Sequence, residues 1–414
     1  MIELFEKKGY EIVDFDTKAD VYVINTCDVT NESGRKSRQI IRKAIRKNPS
    51  AKVAVVGCYA QLESGKVSNL PGVSVVVGTK DRHKIVDLVE KAKESDKQVV
   101  AVGDIMKQRT FEEIAFKGHR QKTRAFLKIQ EGCNMFCSYC IIPYARGPIR
   151  SRAIESILLE VNSLAKDGFK EIVLTGIHLG FYGFDFKENK NHLLDVISRI
   201  SQIQGIERIR LSSIEALELT DEFLEGLLQI KSFCQHFHIP LQSGCDTVLE
   251  RMNRRYTTSD FRNRVNYIRK LMPGVSITTD VIVGFPGETD EEFFKTESFI
   301  QELEFSKLHV FPFSARQGTL AADMPNQIEK SIKVDRSHRL IHLSRKLEQS
   351  FREKFINTTK EVLFEDKKGD NKYEGLTDNY IKVIVESEEN LRNQIRPVKL
   401  LKNMDDYILG EIKK

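Results

Sequence analysis

No stretch of the 414 residues stays apolar for long enough to cross a bilayer. The opening MIELFEKKGYEIVDFD mixes acids with bases and has neither the apolar run nor the small-residue cleavage site of a secretory signal. A cytoplasmic protein with no membrane partner is the expectation. An excess of one charge is also missing: 65 Lys and Arg against 59 Asp and Glu leave +6, too little for a chain of this size to name a partner. Cysteine is scarce and odd in number, seven, which in an intracellular chain argues against a disulfide framework and for metal or cluster ligation. What the chain has is 40% hydrophobic and 30% charged residues, enough for a globular protein with a full core. Its length predicts two or three domains, because single domains usually hold roughly 100 to 200 residues.

Successive regions differ in pattern. Over residues 1–107 the apolar runs VYVINTC, KVAVVGC and VSVVVGT alternate with helical stretches, which reads as a parallel α/β domain. Residues 108–122 are polar and aperiodic, as in a linker. Over residues 123–350, AFLKIQ, EIVLTG, RIRLSSI, HFHIPLQ, SITTDVIVGF and KLHVFPFS are each followed by a helical pattern. A complete (β/α)8 barrel needs eight strands and about 250 residues, so a partial (β/α)6 barrel is predicted, with its reactive groups at the C-terminal strand ends. Residues 351–414 change to period two in KEVLFED, YIKVIVE and RPVKLLK, the pattern of a small β-barrel.

The chemistry centres on EGCNMFCSYCIIPYARGPIRSR. Cys133, Cys137 and Cys140 follow a predicted strand directly, so three thiols share one short loop. Three thiolates around a cubane cluster leave one iron without a protein ligand, open to a small molecule. A closed zinc site is the bland alternative, but it wants four ligands, usually as paired C-x2-C units, and no second pair lies nearby. The C-x3-C-x2-C spacing, with Tyr139 before the last cysteine, resembles the signature of radical S-adenosylmethionine (SAM) enzymes. The resemblance implies that the open iron chelates the methionine part of SAM, and that an electron from the cluster splits the sulfonium to give a deoxyadenosyl radical. Cys133, Cys137 and Cys140 are then both metal ligands and catalytic groups.

NTCDVT, GCYAQ, TGIHLGFYG, LSSIEAL, HIPLQSGCDTVLERMNRRYT, TTDVIVGFPGET and HVFPFSARQGT resemble, in order and spacing, landmarks of the methylthiotransferase family along nearly the whole chain. The N-terminal segment and TRAFLKIQEGCNMFCSYCIIPYARG are most similar to the branch acting on threonylcarbamoyl-adenosine in tRNA. The implied fold is an N-terminal flavodoxin-like α/β domain with a second 4Fe-4S cluster, a radical SAM barrel, and a C-terminal TRAM-type RNA-binding barrel. Cys27 and Cys58, each at the end of a predicted strand, match two of the three ligands of that second cluster. The family's first ligand lies on a strand that would precede the helix MIELFEKKGY, so the third thiolate is expected on a segment ahead of these residues, with a late start or a shortened chain the preferred explanation. Two buried structural cysteines are the alternative reading of Cys27 and Cys58. Cys234 and Cys245 lack cluster spacing and read as structural thiols.

Gly176, at the end of the second barrel strand, has no Cβ and lets the amino and carboxylate groups of SAM approach the backbone. Ser213 and Glu215 after the third strand, Gln242 after the fourth and Gly284 at the end of the fifth are candidates, with Tyr139, for SAM contacts. Polar packing and plain turns are the competing explanations. His309 is a candidate contact, or a structurally satisfied strand histidine. Phe311 and Phe313 suit the SAM adenine or, equally, the core. His236 and His238 have no third ligand at a useful interval, and a metal there is rejected. In SGRKSRQIIRKAIRKNP, Arg35, Arg38, Arg42 and Arg46 recur at helical offsets on one face, with Ile40, Ile41, Ala44 and Ile45 turned to the core. Such a stripe suits RNA phosphates, although a solvated face is the usual reading of a charge run. Arg254 and Arg255, in ERMNRRY with Arg251, add a second candidate RNA contact.

An unactivated hydrogen at carbon 2 of adenine is beyond any side-chain base at neutral pH, so radical chemistry suits the implied reaction. By resemblance, one SAM methylates cluster-bound sulfur and a second initiates carbon-sulfur bond formation. Flavodoxin or a ferredoxin-type protein is the implied electron donor, tRNA the implied partner, and a monomer the expected state. The rival enzymatic reading is methylthiolation of an aspartate on a ribosomal protein. A third reading, from another class, is an iron-sulfur RNA-binding or sensor protein without turnover.

Overall fold

The computed structural model describes residues 1–114, 123–187 and 192–413, so the end of the expected 108–122 linker lies outside the described residues. The chain forms two compact units. The first joins the N-terminal region to Glu131–Arg150 and Ser314–Asp323, and the second includes Ser151–Phe313 and the chain from Met324 onward.

The first unit is built on parallel strands β1 (Val21–Thr26), β2 (Lys52–Gly57), β3 (Val73–Val77) and β4 (Val99–Ala101), in that order across the sheet. Valine fills both faces of β2: Val53 and Val55 pack with Tyr22, Ile41 and Tyr59, while Ala54 and Val56 pack with Phe5, Val75 and Ile85. A strand covered on both sides reads as a continuous apolar run, which is why KVAVVG is legible. β4 is three residues long and was not among the expected strands.

In the second unit the six expected strands all form, as Arg124–Lys128, Glu171–Thr175, Arg208–Leu211, His236–His238, Ser276–Val283 and Lys307–Pro312. The first three pair in parallel, as do the last three. Parallel bridges Ile209↔Phe233 and Ser213↔His238 connect the two sets. One core of branched aliphatics and Phe runs through all six. The helices Asp221–Leu228, Thr258–Leu271 and Asp290–Leu303 begin with threonine side-chain caps: in the last, Thr289 accepts from the Glu292 N–H at 3.2 Å and the Glu292 carboxylate accepts from the Thr289 N–H at 3.0 Å. Thr289→Ala is expected to lower unfolding free energy by about 1 kcal/mol in urea titration, the usual worth of an N-cap.

The same unit ends in a closed five-stranded barrel of Thr359–Lys367, Lys372–Thr377, Lys382–Glu386, Ile395–Asn403 and Ile408–Ile412. Its core holds Val362, Phe364, Val383, Val385, Val398 and Ile408. Buried arginines fasten it to the N-terminal ends of the parallel strands. Arg208 donates to the carbonyls of Leu376 and Glu361, both at 2.8 Å, and Arg210 donates to that of Asp378 at 3.0 Å. Glu171, wholly buried, sets one carboxylate charge against the two guanidiniums, 2.7 Å from Arg210 and 4.0 Å from Arg208.

Candidate metal centre

The loop carrying Cys133, Cys137 and Cys140 is held by its own backbone. Gly132 has φ +81°, and a Cβ there would overlap the Pro148 carbonyl, so only glycine admits the close approach of the two segments. The Cys133 N–H then donates to the Gly147 carbonyl at 3.0 Å, and the Cys140 N–H to the Cys137 carbonyl at 2.9 Å. Met135 N–H lies 3.4 Å from the Cys133 sulfur. The Ser138 carbonyl accepts from the Ala321 N–H at 2.8 Å, and the Asn134 side chain from the Ile149 N–H at 3.3 Å. Cys137 is buried, while Cys133, Cys140 and Tyr139 are half-buried. None of the seven cysteines forms a disulfide. Three thiols on a pinned loop, with a backbone N–H directed at one of them, fit an iron-sulfur cubane. Among the described residues no three His, Cys, Asp or Glu groups are drawn together on one ion.

Cys27 and Cys58 lie next to each other for a topological reason. They follow β1 and β2, whose last residues Thr26 and Gly57 are in register, so both thiols leave the same end of neighbouring parallel strands. Gly57 has φ +103°, and a Cβ would stand 2.6 Å from the Thr26 carbonyl. Cys58 is buried and starts a short helix, and Cys27 is exposed. Arg146, of the PYARG segment that ends the cysteine loop, donates Nε–H to the Cys58 sulfur at 3.2 Å and Nη1–H to Glu131 at 2.5 Å. Burial pushes the Cys58 thiol up and the guanidinium opposes that rise. Glu131, 1% exposed, also faces Arg82 at 3.3 Å and Arg150 at 3.8 Å. Asp28, beside Cys27, is buried and ion-paired with Arg316; burial raises its carboxyl to about 6 against the pull of that guanidinium. Arg146, Glu131 and Arg316 lie inside the EGCNMFCSYCIIPYARG and HVFPFSARQGT segments, but no spacing there assigns them a role.

The expected SAM contacts of the second unit occupy strand ends. A Cβ on Gly176 would stand 2.9 Å from the Gln130 amide oxygen. Ser213 is exposed and bridges to His238. Gln242, at φ +64°, donates its N–H to the Asp280 carbonyl at 2.8 Å and accepts from the Ile282 N–H at 2.9 Å. The Gly284 N–H donates to buried Glu288 at 2.6 Å, and Arg336 pairs with the same carboxylate, also at 2.6 Å. Glu215 is ion-paired with Arg254, whose side chain is 3% exposed, so the structure gives Arg254 an internal carboxylate partner and leaves Arg255 exposed. His236 and His238 share the Thr278 hydroxyl at 3.2 and 2.9 Å. Phe313 is buried, and Phe311 and His309 are exposed.

The arginine stripe lies on the helix Asn31–Lys47, capped by Thr30. Arg35, Arg42 and Arg46 are exposed and Arg38 is half-buried over the Tyr59 ring at 5.7 Å. Arg35 pairs with Glu32 at 2.6 Å. Ile41 and Ala44 are fully buried, but Ile40 is 43% exposed, contrary to the expected inward face, because it lies one residue off the buried stripe.

The Radical SAM superfamily model matches residues 127–300, and the family described as "Uncharacterized protein family UPF0004" matches residues 1–78. A solved radical S-adenosylmethionine methyltransferase, TsrM from Kitasatospora setae, shares the fold with TM-score 0.58 at 15% identity, covering 77% of this chain and 72% of that one. Fold and cysteine loop together define a radical SAM enzyme, whose family implies a 4Fe-4S cluster and SAM. The threonylcarbamoyladenosine tRNA methylthiotransferase MtaB of Bacillus subtilis (strain 168) is 47% identical over 99% of this chain and 91% of that protein. Its Aquifex aeolicus (strain VF5) counterpart is 40% identical over 95% of this chain and 94% of its own length. A tRNA-2-methylthio-N(6)-dimethylallyladenosine synthase of Methylacidiphilum infernorum is 32% identical over 99% of this chain and 90% of that protein. The chain belongs to the radical SAM methylthiotransferase family.

Proposed function

We propose that this enzyme places a methylthio group on carbon 2 of threonylcarbamoyl-adenosine beside the anticodon of tRNA. The observation that carries the reading is the 47% identity, across 99% of the chain, to a threonylcarbamoyladenosine tRNA methylthiotransferase. The lower identity, 32%, to a dimethylallyladenosine synthase supports the choice of substrate.

In this account Cys133, Cys137 and Cys140 hold the cubane that binds SAM. When bound, that cluster supplies the electron that splits the sulfonium. Gly132 and the Cys133 N–H bond fix the loop before SAM arrives. Tyr139, Gly176, Ser213, Gln242 and Gly284 receive the methionine, ribose and adenine portions, and Arg254 orients Glu215 for the same task. Cys27 and Cys58 supply two thiolates to a second cluster, with Arg146 holding the Cys58 sulfur. Arg35, Arg38, Arg42, Arg46 and Arg255 receive phosphates. A flavodoxin or ferredoxin-type protein delivers the electron, and the enzyme works as a cytoplasmic monomer. Among the described residues no helix is long and apolar enough to cross a membrane.

Mass spectrometry of tRNA nucleosides from a strain lacking the gene tests the reading. The methylthiolated form of threonylcarbamoyl-adenosine is expected to disappear and the unmethylthiolated nucleoside to accumulate. An unchanged nucleoside profile would contradict the assignment.

A further inference from the structure

The turn after the second parallel strand, residues 177–186, combines a rigid base with an exposed aromatic top. Tyr182 is fully buried and donates its hydroxyl to the Arg152 carbonyl at 2.7 Å. Asp185 accepts from the Ser151 N–H at 2.9 Å and from its hydroxyl at 2.5 Å, and the Gly183 N–H donates to the same hydroxyl at 2.8 Å. His178 is buried with its ring against the Glu218 carboxylate, and its backbone N–H donates to Gln130 at 2.8 Å. Gly180 lies where any Cβ would overlap the Glu218 carboxylate. On this base the rings of His178, Phe181 and Phe184 follow one another at centroid distances of 4.3 and 4.8 Å, both tilted by 44°, and His192 meets Phe184 edge-on at 5.9 Å. Phe184, at the solvent end, is 58% exposed.

We infer that Phe184 is a stacking platform for one unpaired nucleobase of the RNA substrate, next to the base that is modified. The inference rests on the tRNA reading above. Hydrogen bonds at Tyr182, Gly183 and Asp185 pin both flanks of Phe184, so its ring is presented to water in a fixed place. The partner's chemistry follows from the site: a flat π face backed by other rings takes a base irrespective of its hydrogen-bond pattern. Position agrees, because the turn leaves the C-terminal end of a parallel strand, where such folds carry their chemistry. An adenosine drawn out of the anticodon stack leaves its neighbours without a stacking partner, and Phe184 replaces the lost contact. Preorganised rings give this contact at little entropic cost.

The test is fluorescence anisotropy with an anticodon stem-loop RNA and with the same RNA made abasic at the nucleotides flanking the target. Phe184→Ala is expected to weaken binding of the intact RNA about tenfold, equivalent to about 1.4 kcal/mol. Phe184→Trp should restore it, and thermal unfolding of both variants should match the wild type. One abasic RNA should lose the same factor with the wild type and nothing further with Phe184→Ala, the signature of a direct pair. Equal affinity of wild type and Phe184→Ala for the intact RNA overturns the inference. Wild-type protein that ignores the RNA altogether overturns it together with the tRNA reading. Wild-type binding with unchanged nucleosides in the deletion strain counts against the tRNA reading alone.

Discussion

Cys140→Ala protein is expected to release no 5′-deoxyadenosine from SAM under reducing conditions and to lose about four iron atoms per chain, the content of one cubane. The loop offers no replacement. The Asn134 side chain is held by the Ile149 N–H. Cys234 is 1% exposed, and burial pushes its thiol up to about 12, far from a metal-binding thiolate. With two thiolates left, a cubane has two irons without protein ligands and is lost to solvent. The backbone bonds from Cys133 to Gly147 and from Cys140 to Cys137 do not involve the thiols, so the fold should survive and its melting temperature should change little. Cys245→Ala, whose thiol lies 3.3 Å from the Thr247 hydroxyl, is the matched control that keeps its iron. Turnover by Cys140→Ala at the wild-type rate would remove the loop from the mechanism.

The second large effect concerns stability. Glu171→Ala is expected to cost about 3 to 5 kcal/mol, the range seen when one partner of a buried ion pair is removed. Glu171 is wholly buried against Arg210, itself 2% exposed, with Arg208 close behind. Without the carboxylate, two guanidiniums stay in a low-dielectric interior with only backbone carbonyls of the C-terminal barrel as acceptors. The loss should therefore loosen that barrel from the parallel strands as well as destabilise the whole unit. Protease cleavage after the helix Lys330–Glu353 reads the loosening of the barrel, and denaturant titration reads the destabilisation of the unit. A change below about 1 kcal/mol would mean that the pair is no more than a surface ion pair in worth.

What the sequence could and could not reveal follows from the range of the interactions. The six parallel strands are legible because each is a local apolar run with its own helix behind it, and the final barrel because alternation at period two is local as well. β4 escaped notice because Val99–Ala101 is too short to establish any period. Ile40 was expected in the core, yet a helix repeats every 3.6 residues, and the one-residue offset from Ile41 is enough to expose it. Cys133, Cys137 and Cys140 stand out by their spacing, whereas Cys27 and Cys58 stand out only through the resemblance to the methylthiotransferase family. Arg146 donating to Cys58 is not legible, since 88 residues separate them and no spacing rule connects a guanidinium to a distant sulfur. Arg254 and Glu215 were assigned different partners, RNA and SAM, and the structure joins them across 39 residues. Long-range charge pairing is the part of a site that periodicity cannot supply.

The account depends most on a cubane held by Cys133, Cys137 and Cys140 with one iron open to SAM. Electron paramagnetic resonance of anaerobically reconstituted, reduced protein, recorded with and without SAM, tests this directly. The account predicts a reduced 4Fe-4S signal that changes shape when SAM is added. A cluster signal indifferent to SAM, or zinc in place of iron while the three thiols are intact, would contradict it.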